Sequence, residues 1–149
     1  MRTRAEIEAR FNKSRGNLLL VVGFTLVNVV LLLLNASVSF LFSATFPMIA
    51  VGFGQGMSSE TGNVNYQVAG TAIALVCIVL FFAFYLLSKR YKGILIAALV
   101  LFLLDTASLV WLMSLGGGID YILDILFHAW IIYYMVIGVK AWADLKKLK

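Results

Sequence analysis

The basic residues of this chain fall into three short clusters, and this distribution limits its fold more than any other feature. All twelve Lys and Arg side chains lie within residues 2–15, 89–92 and 140–149, and the stretches between these clusters are strongly apolar. Long apolar runs with basic flanks are typical of helices that cross a bilayer. If four helices cross it, all three clusters lie on one side, which the positive-inside rule makes the cytoplasm.

The composition supports a membrane location independently. The chain is 62% hydrophobic and 13% charged, which is more apolar surface than a soluble domain of 149 residues needs. The basic residues that give the chain its net charge of +5 flank the apolar spans. This position favours contact with anionic lipid headgroups at the cytoplasmic face over binding of nucleic acid. We therefore expect an integral protein of the plasma (cell inner) membrane with both termini in the cytoplasm.

The apolar runs predict a single all-α transmembrane domain over residues 1–149, a four-transmembrane-helix bundle with two tight antiparallel hairpin connections. A cleaved signal peptide explains the first run less well, because its apolar region would be only about 7–15 residues long. The predicted spans are residues 17–35, 68–88, 94–115 and 121–140, with an external segment at 36–67 and amphipathic cytoplasmic ends at 1–16 and 141–149.

The external segment is the ambiguous part of the chain, because residues 38–53 are themselves apolar. A fifth crossing there would move the cluster at 89–92 to the side opposite the N-terminal cluster, so we reject it. Pro47 in the middle of this stretch, followed by Gly52, Gly54 and Gly56, predicts an external helix that is either interfacial or re-entrant.

Both cytoplasmic ends carry apolar side chains at helical spacing among charged ones. Ile7 and Phe11 are four apart, and Trp142, Leu145 and Leu148 are three apart. This pattern predicts helices that lie in the headgroup plane as anchors, with a docking surface for a partner as the less favoured alternative.

Ionisable residues inside the spans mark the candidate site, since burying a charge in the bilayer is costly. Asp124 and His128 are four apart and share one face of the fourth span, and the tight hairpin brings Asp105 of the third span close to His128. Asn28 of the first span is expected at a similar depth. We predict that Asp105, His128, Asp124 and Asn28 bind a substrate or ion.

Three interpretations of these residues remain open. Two of them make the Asp105–His128 pair either a structural contact that locks the hairpin or a proton-coupled site. The third is a divalent-metal site made of Asp124, His128 and Asp105, which is weakly supported because such sites usually have more nitrogen or sulfur ligands. No cofactor is expected, since one His cannot supply two haem ligands and Cys77 is the single Cys.

The predicted function is transport of a proton, cation or small solute, either by this protein alone or as a transporter subunit. Four spans are too few to enclose an alternating-access pathway, so an oligomer or a membrane protein partner is expected. The alternative is a non-catalytic scaffold or accessory subunit that binds another membrane protein, with the Asp/His pair purely structural. A third alternative, ranked last, is an intramembrane enzyme that uses the Asp/His pair as acid and base. The chain contains no catalytic motif, so no enzyme is predicted. Trp111 and Tyr121 are read as aromatic residues of the membrane interface.

Overall fold

The chain forms five helices in the part that the computed structural model describes, residues 3–37, 40, 43–116 and 120–148. Four of these helices are long and apolar enough to cross a membrane, as the sequence predicts. The helices are α1 (Arg4–Leu33), α2 (Thr45–Thr61), α3 (Asn65–Leu87), α4 (Ile94–Ser114) and α5 (Asp120–Lys147).

The helices α1 and α5 extend well beyond the apolar spans. They have 30 and 28 residues, which corresponds to about 45 and 42 Å, against a hydrocarbon core of about 30 Å. A capping box between Thr3 and Glu6 begins α1. Ile7 and Phe11 are buried in the same apolar cluster as Leu145. The two ends thus continue the long helices and pack on each other, whereas their amphipathic pattern predicts anchors in the headgroup plane.

The three basic clusters meet at one end of the bundle, which we call the basic end; the other end is the distal end. The Lys92 ammonium lies 5.4 Å from the centroid of the Phe11 ring. Gly93 lies so close to the Trp142 ring that an added Cβ would be 3.1 Å from it. The start of α1, the α3–α4 connection and the end of α5 are therefore neighbours, as an even number of crossings requires.

The two halves of the bundle are packed differently. The basic half holds the larger apolar core, to which α1, α3, α4 and α5 all contribute. The distal half has a smaller cluster of Val29, Val51, Ala74 and Ile78, and here α2 is inserted between the long helices. The long helices consequently pack directly on one another in the half next to the basic end. In the distal half, α2 lies between them.

Helix α2 begins later than the apolar pattern predicts. It starts at Thr45, so Pro47 lies in its first turn and does not interrupt its middle. A proline in the first turn costs little stability, because the N–H groups of that turn have no partner within the helix. It ends at Thr61, with Gly62 as a left-handed C-cap at φ 70°. Next, α3 begins at Asn65, ahead of the predicted start at 68.

A glycine contact joins α2 to α3, its main packing partner. A Cβ on Gly54 would lie 2.6 Å from the carbonyl oxygen of Tyr66, and a Cβ on Gly70 would collide with the carbonyl oxygen of Ala50. Both positions therefore require glycine. The contact fixes α2 along the distal half of α3.

Candidate functional site

The first turn of α2 lies in the interior of the bundle, near the middle of the long helices. The backbone of Thr45 bonds to Asp105, which is halfway along α4. Ala44 bonds to Thr25, which lies eight residues before the end of α1 at Leu33, or about 12 Å along the axis. The helix therefore begins deep in the bundle and runs outwards to the distal end.

Every backbone N–H group at the start of α2 is accounted for. A helix leaves its first four N–H groups without partners in the helix. The N–H of Ala44 donates to the Thr25 hydroxyl at 2.8 Å, and those of Thr45 and Phe46 donate to the two Asp105 carboxylate oxygens at 2.9 and 2.8 Å. Pro47, the fourth residue, has no N–H. Side chains of α1 and α4 thus supply the cap that α2 lacks in its own sequence.

Asp105 also contacts His128, as the hairpin geometry predicts. Its Oδ2 lies 3.1 Å from His128 Nε2, and the two residues are 5% and 2% exposed. The Phe102 ring stacks on the imidazole at 5.0 Å between centroids. The pair is therefore enclosed by packed side chains and joins α4, α5 and the start of α2.

Both ring nitrogens of His128 have partners. Nδ1 lies 2.8 Å from the carbonyl oxygen of Asp124, which can only accept, so Nδ1 donates there. Nε2 lies 3.1 Å from Asp105 Oδ2 and 3.5 Å from the Thr45 hydroxyl. The buried imidazole is therefore satisfied within the bundle.

Asn28 holds the chain just before α2. Its amide nitrogen donates to the Phe40 carbonyl at 2.6 Å and to the Ser43 hydroxyl at 2.8 Å, and its oxygen accepts from the Phe40 N–H at 2.7 Å. The neutral polar group predicted at mid-depth in α1 therefore positions the segment that leads into α2.

A cavity of about 550 Å³, which we call the distal chamber, lies between α2 and the distal ends of α1, α4 and α5. It reaches inwards as far as Thr45 in the first turn of α2 and Asn28 in α1. Asp124 is in its wall. The lining residues are Asn28, Leu32, Phe40, Ser43, Thr45, Met48, Ile49, Gly52, Phe53, Leu109, Trp111, Leu112, Tyr121 and Asp124.

A second cavity of about 370 Å³, the lateral cavity, lies on the other side of the start of α2. Its wall is mostly apolar and comes from α2, α3 and α4, including Phe46, Pro47, Cys77 and Asp105. The first turn of α2 thus separates the distal chamber from the lateral cavity.

No family model, curated protein or solved structure matches this chain.

The structure divides the predicted site residues into two groups. Asp105 and His128 form a closed contact, whereas Asp124 and Asn28 line the distal chamber. Among the described residues no three His, Cys, Asp or Glu side chains are close enough to hold a metal ion together, so the predicted trio is not assembled as a metal site.

Sequence reasoning missed part of the site. Its predicted site residues did not include Thr25, Ser43 or Thr45. It assigned Trp111 and Tyr121 to the membrane interface, whereas both line the distal chamber. One available signal was Pro47, because a proline is favoured in the first turn of a helix.

Proposed function

We propose that this protein spans the membrane with its basic end in the cytoplasm and binds a small solute in the distal chamber, which it moves across the membrane as an oligomer or as a transporter subunit. The observation that supports this most strongly is the start of α2, capped in the bundle interior beside a cavity. Helices that begin near the bilayer midplane mark substrate sites in many transporters.

In this proposal α2 is re-entrant, entering and leaving on the external side. A helix lying on the surface would have its first N–H groups solvated by water and would need no partners from other helices. In hydrocarbon each such group must be satisfied by protein. The three side-chain acceptor atoms from Thr25 and Asp105 are the arrangement that a re-entrant helix requires.

The Asp105–His128 pair has a structural role in this proposal. It holds the start of α2, which forms the inner wall of the distal chamber, while Asp124 and Asn28 face the solute. In this proposal the packed core of the basic half closes the path towards the cytoplasm, and the solute enters the distal chamber from the external side. The basic clusters then contact anionic lipids of the inner leaflet, in the plasma or cell inner membrane.

Filling the distal chamber tests this function. Gly52 lines the chamber and Gly56 does not, and both lie on α2 with open space around an added Cβ. Purified protein in liposomes is expected to take up at least one of three probes: protons, potassium or choline. Gly52→Leu should lower that uptake about tenfold or more, and Gly56→Leu should leave it unchanged. Uptake of none of the probes, or equal rates for the two variants, would contradict the proposal.

The second candidate is a non-catalytic accessory subunit. It is favoured by the complete hydrogen bonding of Asp105 and by the wide apolar surface of α3, on which Val76 and Val79 are about two thirds exposed. Such a subunit would copurify with a larger membrane protein, and its association would be unaffected by Gly52→Leu.

A further inference from the structure

The distal part of the chain is acidic. The sequence has no Lys or Arg between Arg15 and Lys89 or between Lys92 and Lys140. Those two stretches contain four acidic residues, Glu60, Asp105, Asp120 and Asp124. Because these stretches hold carboxylates and no Lys or Arg, the charge at the distal end is negative. A cleft with apolar walls concentrates such a field, which attracts cations and repels anions.

The wall of the distal chamber combines a carboxylate with aromatic rings. Asp124 is the charged residue among the described residues of the wall. The aromatic residues of the wall are Phe40, Phe53, Trp111 and Tyr121. The faces of such rings attract cations, and tryptophan does so most strongly. A carboxylate with several rings around a cavity is a suitable environment for an ammonium group.

The same wall is poorly suited to a bare metal ion. Hard cations replace their water with several oxygen ligands at fixed distances. Here the side-chain oxygen of Asn28 already accepts a hydrogen bond from the Phe40 N–H. Most of the remaining wall is apolar, including Leu32, Met48 and Ile49. A cavity of about 550 Å³ is within the range for small organic ligands.

From these observations we infer that the distal chamber selects small organic cations, namely ammonium compounds with short apolar groups. This inference rests on the proposed function, since it names the solute class for the same cavity. Asp124 neutralises the ammonium charge, and Trp111 with its aromatic neighbours contacts the alkyl groups around the nitrogen.

A pair of isosteric ligands tests the inference directly. Choline and 3,3-dimethyl-1-butanol have the same shape, but only choline carries a charge. Calorimetric titration of the full-length protein in the neutral detergent dodecylmaltoside is expected to show choline binding at least tenfold tighter than the alcohol. Potassium at equal concentration should not displace choline.

Two variants identify the groups responsible. Asp124→Asn should weaken choline binding about tenfold or more and leave the alcohol unaffected, which removes the preference for the cation. Trp111→Leu should weaken choline binding several-fold, and Trp111→Phe should restore part of it. Glu60→Gln is the matched control, because Glu60 is an exposed carboxylate that does not line the chamber. It removes the same charge from the distal end and should weaken choline binding much less than Asp124→Asn does.

The outcomes separate this inference from the function on which it rests. If both ligands bind equally, or if Asp124→Asn keeps the preference, the cation inference is wrong while the chamber remains a solute site. If neither ligand binds, the inference is overturned and the solute site itself loses support. Tighter binding of choline that depends on both Asp124 and Trp111 supports it.

Discussion

At the scale of single residues, Asp105 has the most consequential position in the chain. It accepts two backbone hydrogen bonds from α2 and contacts His128, all inside the bundle. The contact with His128 could be predicted from the sequence, because a short hairpin fixes which residues of two helices share a depth. The hydrogen bonds from Thr45 and Phe46 could not be predicted, because they depend on the depth in the bundle at which α2 begins.

Replacing Asp105 therefore has a large expected effect on stability. Asp105→Ala leaves two backbone N–H groups without their acceptor and the buried imidazole without its carboxyl partner, so we expect unfolding to become easier by about 3–5 kcal/mol. Asp105→Asn keeps one acceptor oxygen and should cost less. Reversible unfolding of the purified protein in mixed detergent measures both values. Glu60→Gln, an exposed carboxylate change, should stay within about 0.5 kcal/mol. An Asp105→Ala protein as stable as this control would show that the cap is unimportant.

At the scale of helices, the spans were largely predictable and α2 was not. Apolar runs with basic flanks place α3 and α4 to within a few residues, because burial in a membrane depends on length and hydropathy. The start of α2 instead depends on caps from Thr25 and Asp105, which belong to other helices. Residues 38–53 are mostly apolar, with polar residues scattered among them, so hydropathy alone cannot locate a boundary within them.

The glycine contact between α2 and α3 gives a prediction with internal controls. Gly54→Ala and Gly70→Ala place a methyl group against backbone carbonyl oxygens, and each should destabilise the protein by about 1–3 kcal/mol. Gly52→Ala and Gly56→Ala face open space on the same helix and should be neutral or stabilising by up to about 1 kcal/mol. The same unfolding assay ranks the four variants. Equal effects at all four positions would mean that α2 does not pack on α3 through this face.

At the scale of the whole molecule, the arrangement of the bundle follows from its charges. The three basic clusters were expected on one side, and they meet at one end of the structure. Packing of the two helix ends was not predictable, because Ile7 and Leu145 can be buried equally well in lipid headgroups or against each other. The choice depends on the relative rotation of α1 and α5, which hydropathy does not determine.

The proposed orientation predicts which positions react from each side of the membrane. In a Cys77→Ser background, single cysteines at Asn12 and Lys89 should react with a membrane-impermeant maleimide only from the cytoplasmic face. A cysteine at Asn63, between α2 and α3, should react only from outside. Reaction of positions 12 and 89 from opposite faces would exclude an even number of crossings.

The most direct test of the account is the depth at which α2 begins. Spin labels are placed singly at Phe46, at Ser59 near the end of α2, and at Leu104 in the middle of α4, all of which are exposed on the bundle surface. Their depth in liposomes is measured by electron paramagnetic resonance from the relative accessibility to oxygen and to a polar nickel complex. A re-entrant α2 predicts that position 46 lies as deep as position 104, with position 59 in the headgroup region. Equal, shallow depths at positions 46 and 59 would place α2 flat on the membrane surface and contradict the account.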